Sequence, residues 1–182
     1  MPTFTPQQIK EISEQLDCSF QVFYHKTTGE LIFVPDVEKN FGMEIDAWKA
    51  DFDKLKKHKS QYQEIEAMDS RDAFKIMEDF ALQVNDANLA DDLLKALQRK
   101  HPFRQFHFVI DNSFDYRQSW FDFKAKRLVE WTENQIRIHQ EFNSYTTPAA
   151  NNALAKYGAR RCNFIISNIA GLVRGWTVFV YT

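Results

Sequence analysis

Side chains capable of catalysis are present in this chain, but they do not fall into register with one another. Of five histidines, only His107 stands at a helical i, i+4 interval from a carboxylate, Asp111. A metal centre takes three or four converging ligands, so this pair is expected to make a surface hydrogen bond or no contact. The carboxylates Asp46, Asp51, Asp53, Glu64, Glu66, Asp69 and Asp72 follow the solvated faces of predicted helices and one predicted strand. Their spacing therefore marks no acid/base pair and no two-metal site. The glycines stand alone at 29, 42, 158, 171 and 175, which excludes a phosphate-cradling loop, and neither a nucleophile elbow nor an HExxH helix occurs. No catalytic residue, metal ligand or cofactor is assigned. An enzyme assembled from distant residues would leave no motif, and a hydrolase acting on a phosphorylated or nucleic-acid substrate stays as the second reading.

Binding chemistry is better represented. Residues 103–131 hold nine aromatic residues and five Lys/Arg. Basic residues interleaved with rings are what single-stranded nucleic acid needs, cations for phosphates and π faces for bases. Against that stand a pI near 6.2, below the basic footprint of such proteins, and a ready internal counter-charge. Residues 1–98 carry 11 Lys/Arg against 19 Asp/Glu, and residues 99–182 carry 12 against 6. Charges of −8 and +6 are expected to pair largely within the fold. The preferred reading is a non-catalytic binding or regulatory domain with a protein partner, on a surface built from Arg104, Arg117, Trp120, Lys124 and Arg127. Trp and Arg dominate binding energy at such surfaces.

The elements that must position these residues are predicted to form an α+β domain over residues 1–142. It comprises a small antiparallel sheet, an N-terminal hairpin plus a candidate third strand, packed with five to six helices. Thr5, Pro6 and Gln8 form a helix-start signature, with Phe4 and Ile9 at the staple positions. Ser19–Tyr24 and Leu31–Val34 are rich in β-branched and aromatic residues, and Gly29 suits the left-handed position of the loop between them. Gln61–Met68 is the candidate third strand. Ile45, Trp48, Phe52 and Leu55 share one helical face, as do Phe74, Met77, Ala81 and Val84, and then Leu89, Leu93, Leu94 and Leu97. Pro102 ends one helix and opens another, Asn112–Asp115 breaks it, and a long helix is predicted from about Tyr116 to His139. With Trp120 at 0° on a helical wheel, Lys124 falls at about +40° and Arg127 at about −20°, inside the aromatic stripe. Their stems are expected to cover ring faces while their charges reach water or an acid of the negative half. Phe103, Phe106, Ile110, Phe123 and Trp131 are expected in the core.

The order of short motifs also carries a resemblance. A hairpin with Thr28-Gly29-Glu30 is followed by YQEI (Tyr62–Ile65), MEDF (Met77–Phe80), PFRQF (Pro102–Phe106) and WFDF (Trp120–Phe123). Over roughly residues 15–135 this series resembles an uncharacterised bacterial protein family, numbered 0158. The resemblance implies a bacterial cytoplasmic domain and supplies no activity, cofactor or catalytic set.

The composition changes near the end. Residues 142–182 contain four Lys/Arg and no acid. Residues 143–182 are read as a distinct extension, with a linker around Pro148 and a hairpin of Phe164–Val173 with Trp176–Tyr181 as one expectation. The longest apolar stretch, Asn163–Val173, is far short of the ~20 residues that span a bilayer. The N-terminus lacks a basic region and an apolar region of secretory type. Cys18 and Cys162 lie outside any CxxC spacing and are expected to be small buried hydrophobes of a reducing cytoplasm.

Overall fold

Thr5 starts the first helix through a full capping box. Its side chain accepts from the Gln8 amide at 3.3 Å, and the Gln8 side chain accepts from the Thr5 amide at 2.9 Å. These bonds satisfy two of the donors that a helix start leaves orphaned. The computed structural model describes residues 2–145 apart from 41 and 43. The chain divides into two compact units, Met1–Arg137 and Ile138–Thr182. Of the second unit only the end of one long helix is described. The expected linker, the C-terminal hairpin and Cys162 lie outside the described residues.

The elements run α1 (Pro6–Asp17), β1 (Phe20–His25), β2 (Leu31–Pro35), α2 (Lys49–Lys57), β3 (Tyr62–Ile65), α3 (Ser70–Gln83), α4 (Ala87–Leu97), α5 (Pro102–Asp111) and α6 (Phe114–Tyr145). Among the described residues, three strands and six helices make the α+β fold that the sequence pattern predicts. The sheet is antiparallel in the order β2-β1-β3, with Val22 opposite Phe33 on one side and Ile65 on the other. The candidate third strand forms, and it pairs with the first.

Period-2 alternation sends the two faces of the sheet to different helices. Val22, Tyr24 and Ile65 pack with Ile12 and Leu16 of α1, and with Ile136 of α6. Ile32, Val34 and Tyr62 take Trp48, Phe52 and Leu55 on the opposite face. Ile45 departs from the expected stripe. It lies with Trp48 on a 3-10 turn, Ile45–Trp48, ahead of α2 and is exposed. A second core joins Met77, Phe80 and Ala81 of α3, Leu93 and Leu97 of α4, Phe106 and Ile110 of α5, and Trp120 of α6. Asp69 and Asp86 cap α3 and α4 by accepting from backbone amides one turn ahead.

Candidate functional site

Where α1, the residues leading into α3, α5 and α6 meet, they line a partly open cavity of about 300 Å³. Its apolar wall is built from Leu16, Met68, Ile76, Met77, Leu128 and Trp131. Trp131 is held in place by its indole N–H, which donates to the Glu66 carbonyl at 3.1 Å. Ser19 brings the chain out of α1 with a left-handed φ of 63°. That conformation is unusual for a residue with a Cβ, and it is pinned where the Ser19 carbonyl accepts from the Asp36 amide at 3.1 Å and Asn40 Nδ2 at 2.9 Å.

The polar side chains around the cavity include Ser13, Ser19 and two cations, Lys39 and Lys124. Lys124 lines it, with Nζ 2.6 Å from Asp17 Oδ1 and 2.8 Å from Oδ2. His107 also lines it, edge-on to Trp120 with ring centroids 6.2 Å apart. Trp120 and Thr132 form part of the wall, and the Trp120 Nε1–H and Thr132 Oγ1 are buried without a hydrogen-bond partner among the described residues. The lining holds one carboxylate, Asp17, already engaged by a cation, and does not bring two acids together. Among the described residues no group of three or more His, Cys, Asp or Glu is placed to hold a metal ion. No helix among them is long and apolar enough to cross a membrane.

The five residues assigned to a partner surface from the sequence separate into four environments. Trp120 is a correction. It is 1% exposed, its ring centroid lies 4.9 Å from Phe106 and 5.2 Å from Phe80, and its indole is core. Arg127 is locked inside the fold between Asp79 and Glu130, over the Phe123 ring at 5.5 Å. Lys124 sits at the cavity with Asp17. Both acids that these two cations reach across the fold, Asp17 and Asp79, belong to the negative half, so the wheel reading of their buried stems and paired charges is the arrangement found. Arg104 and Arg117 remain on the outside. Arg117 pairs with Asp111 at 3.1 Å and stacks on Phe121 at 4.9 Å, so Asp111 bonds to this arginine and not to His107. Arg104 has no ion pair among the described residues.

The outer corner of α4, α5 and α6 carries exposed rings, among them Phe108, which the helical period sets with Arg104 to one side of the core face. Phe108 lies one turn beyond Arg104 and is 69% exposed; Phe114 lies one turn before Arg117 and is 91% exposed. Phe103, expected in the core, is 37% exposed at the cavity instead, because only the Phe106–Ile110 side of α5 meets α3 and α4. Cys18 is likewise an exposed free thiol and not a buried hydrophobe, since it caps the C-terminus of α1 at the surface. No sequence signal marked the cavity. It is lined from five separate segments, and only Trp120 and Lys124 of the sequence-assigned residues touch it.

Compared with known proteins, residues 5–152 match the sequence pattern of an uncharacterised protein family, UPF0158. The match reaches further at both ends than the motif series that suggested it. No curated protein matches the chain, and no solved structure does.

Proposed function

Since the chain belongs to the uncharacterised protein family UPF0158, which brings no activity with it, we propose a function from its surface. The domain binds an acidic, partly apolar protein segment on the corner formed by α4, α5 and α6. The observation that carries this reading is the exposure of Phe108 and Phe114, each one helical turn from an arginine. Covering a phenylalanine contributes about 1.5–3 kcal/mol, and aromatic residues with arginine are enriched at the cores of protein interfaces. Arg99, Lys100 and Arg104 at the α4–α5 corner are exposed and have no ion pair among the described residues, so the partner must supply carboxylates.

The same cations and rings would suit single-stranded nucleic acid, but Asp111, Asp115 and Asp122 are exposed along the same stretch. They would repel a chain of phosphates, whereas a protein segment can meet them with its own cations. An exposed thiol at Cys18 fits a reducing, cytoplasmic setting.

An NMR titration tests the reading. A synthetic peptide alternating Glu with Leu and Phe is added beside oligouridylate and oligothymidylate, each over the same series of salt concentrations. The expected result is saturable peptide-induced shifts confined to amides of residues 99–121, weakened about tenfold or more by Phe114→Ala and by Arg104→Glu. Absence of saturable peptide shifts removes the proposal. Oligonucleotide binding that strengthens steeply as salt falls replaces it with nucleic-acid binding.

A further inference from the structure

We infer that the partner on this corner is a second copy of the same chain, with α4 of one copy lying antiparallel to α4 of the other about a two-fold axis. The inference rests on the reading of the corner given above and names the acidic, partly apolar segment that the corner takes. Charge along the chain is sorted into two adjoining blocks. Residues 76–92 hold five Asp/Glu and no Lys/Arg, and residues 93–110 hold four Lys/Arg and no Asp/Glu. The first block ends α3 and opens α4; the second closes α4 and builds most of α5. The 11 residues of α4 rise about 16 Å, so one helix separates an acidic end from a basic end.

Most of these charges are not spent inside the fold. Asp79 is taken by Arg127, and Asp91 by Lys95. Glu78, Asp86 and Asp92 at one end, and Arg99, Lys100 and Arg104 at the other, are exposed and have no ion pair among the described residues. Each end also leaves a large apolar side chain in water. Leu82, one turn from both Glu78 and Asp86, is 67% exposed, and Phe108, one turn from Arg104, is 69% exposed. The helix dipole accounts for acids near the start of α4 and cations near its end. It does not account for a leucine and a phenylalanine exposed beside them.

The outer face of α4 sets the direction of pairing. With Asp92 at 0° on a helical wheel, Lys95 falls at about −60° and Arg99 at about −20°, and all three are exposed. One stripe thus runs from negative to positive. Laid antiparallel on its copy, it sets Asp92 against the other Arg99 and Arg99 against the other Asp92, while Lys95 near the axis already has Asp91 of its own helix. The same pairing carries Leu82, with Glu78 and Asp86, toward the other copy's Arg104 and Phe108. A two-fold contact of this kind is made twice and closes on itself, as in the commonest homo-oligomers.

Sedimentation of the full chain from about 10 μM to about 1 mM tests this. The expected mass rises from one chain toward two and no further, and the rise moves to higher concentration as salt is added. Glu78→Lys with Asp92→Lys in one variant, and Arg99→Glu with Arg104→Glu in a second, are each expected to weaken association about tenfold or more. All four positions are exposed, and melting curves establish that both variants are folded. An equimolar mixture of the two is expected to restore the dimer, because each reversed end then meets a reversed end; damage to the fold would not be repaired by mixing. Leu82→Ser added to both variants is expected to weaken the mixed dimer about tenfold, which attraction between opposite net charges would not do. The inference is overturned if the wild type stays a single chain throughout, if the mixture does not associate, if Leu82→Ser leaves the mixed dimer unchanged, or if the mass passes two chains. A chain that stays single while the Glu/Leu/Phe peptide still shifts amides of residues 99–121 removes the second copy and leaves the corner reading intact. Failure of the peptide as well removes both.

Discussion

Glu30 ties three segments together through one carboxylate. It follows the hairpin turn, accepts from Lys54 of α2 at 2.5 Å, and accepts from the Tyr62 hydroxyl of β3 at 3.1 Å. The Lys54 bond, and then the Tyr62 bond, hold the Glu30 carboxyl below the usual glutamate range. Burial, and then the bond to Glu30, push the Tyr62 phenol up. Because the folded value for Glu30 is depressed, its contribution to stability is present above the unfolded value and is lost as pH falls through the folded one. Glu30→Gln is therefore expected to lower stability at neutral pH and to lose that part of the acid dependence. Urea unfolding of both proteins from pH 7 down to pH 3 checks this, and parallel curves would refute it. The pair is solvent-exposed, so the effect is small. The motif around Glu30 could be read from the sequence; its partners, 24 and 32 residues away, could not.

At the scale of elements, the β1–β2 hairpin depends on Gly29. Its φ is +74°, and a Cβ built there would lie 2.8 Å from Pro2 Cβ. Gly42 also has a positive φ, +86°, but nothing lies within 4 Å of the corresponding point. Gly29→Ala carries both the left-handed strain of about 1–2 kcal/mol and the clash; Gly42→Ala carries the strain alone. Chemical denaturation is expected to rank Gly29→Ala as the more damaging, and equal losses would show that the N-terminal segment yields freely. Caps, turns and strands were legible because they rest on near neighbours: Thr5 with Gln8, and Gly29 in its own turn. The long helix was less legible. Its buried side moves from Trp120 to Thr132 and Ile136, at roughly 120° and 160° on the wheel from Trp120, so no single apolar stripe runs along it.

That rotation matters for the whole molecule, since α6 enters both cores. Trp120 packs with α3, α4 and α5, whereas Ile136 packs with α1 and the sheet. A helix rising about 1.5 Å per residue carries the first contact some 24 Å from the second. Ile136→Ala is expected to cost about 2–5 kcal/mol and to lower the unfolding midpoint equally at probes in both cores. The Val22 methyl and Trp120 indole resonances supply those probes, one in each core, and separate transitions would show the cores to be uncoupled. Charge also joins remote segments: the direct contacts of Lys124 with Asp17 and of Arg127 with Asp79 tie the basic C-terminal half to the acidic N-terminal half.

Local periodicity and composition alone thus specify the α+β class, the capped helices, the hairpin with its glycine, and the pairing of opposite charge between halves. Each follows from interactions within about one turn or from summed charge. Tertiary packing assigns the five marked cations and rings to their places. Trp120 is buried because α3 and α5 close over it, Arg127 is spent on Asp79, and Lys124 is turned to Asp17. Phe108 and Phe114 are left in water because no element covers that corner among the described residues. The cavity belongs to no segment, since its walls come together only when α1, α3, α5 and α6 pack, and a void has no sequence of its own.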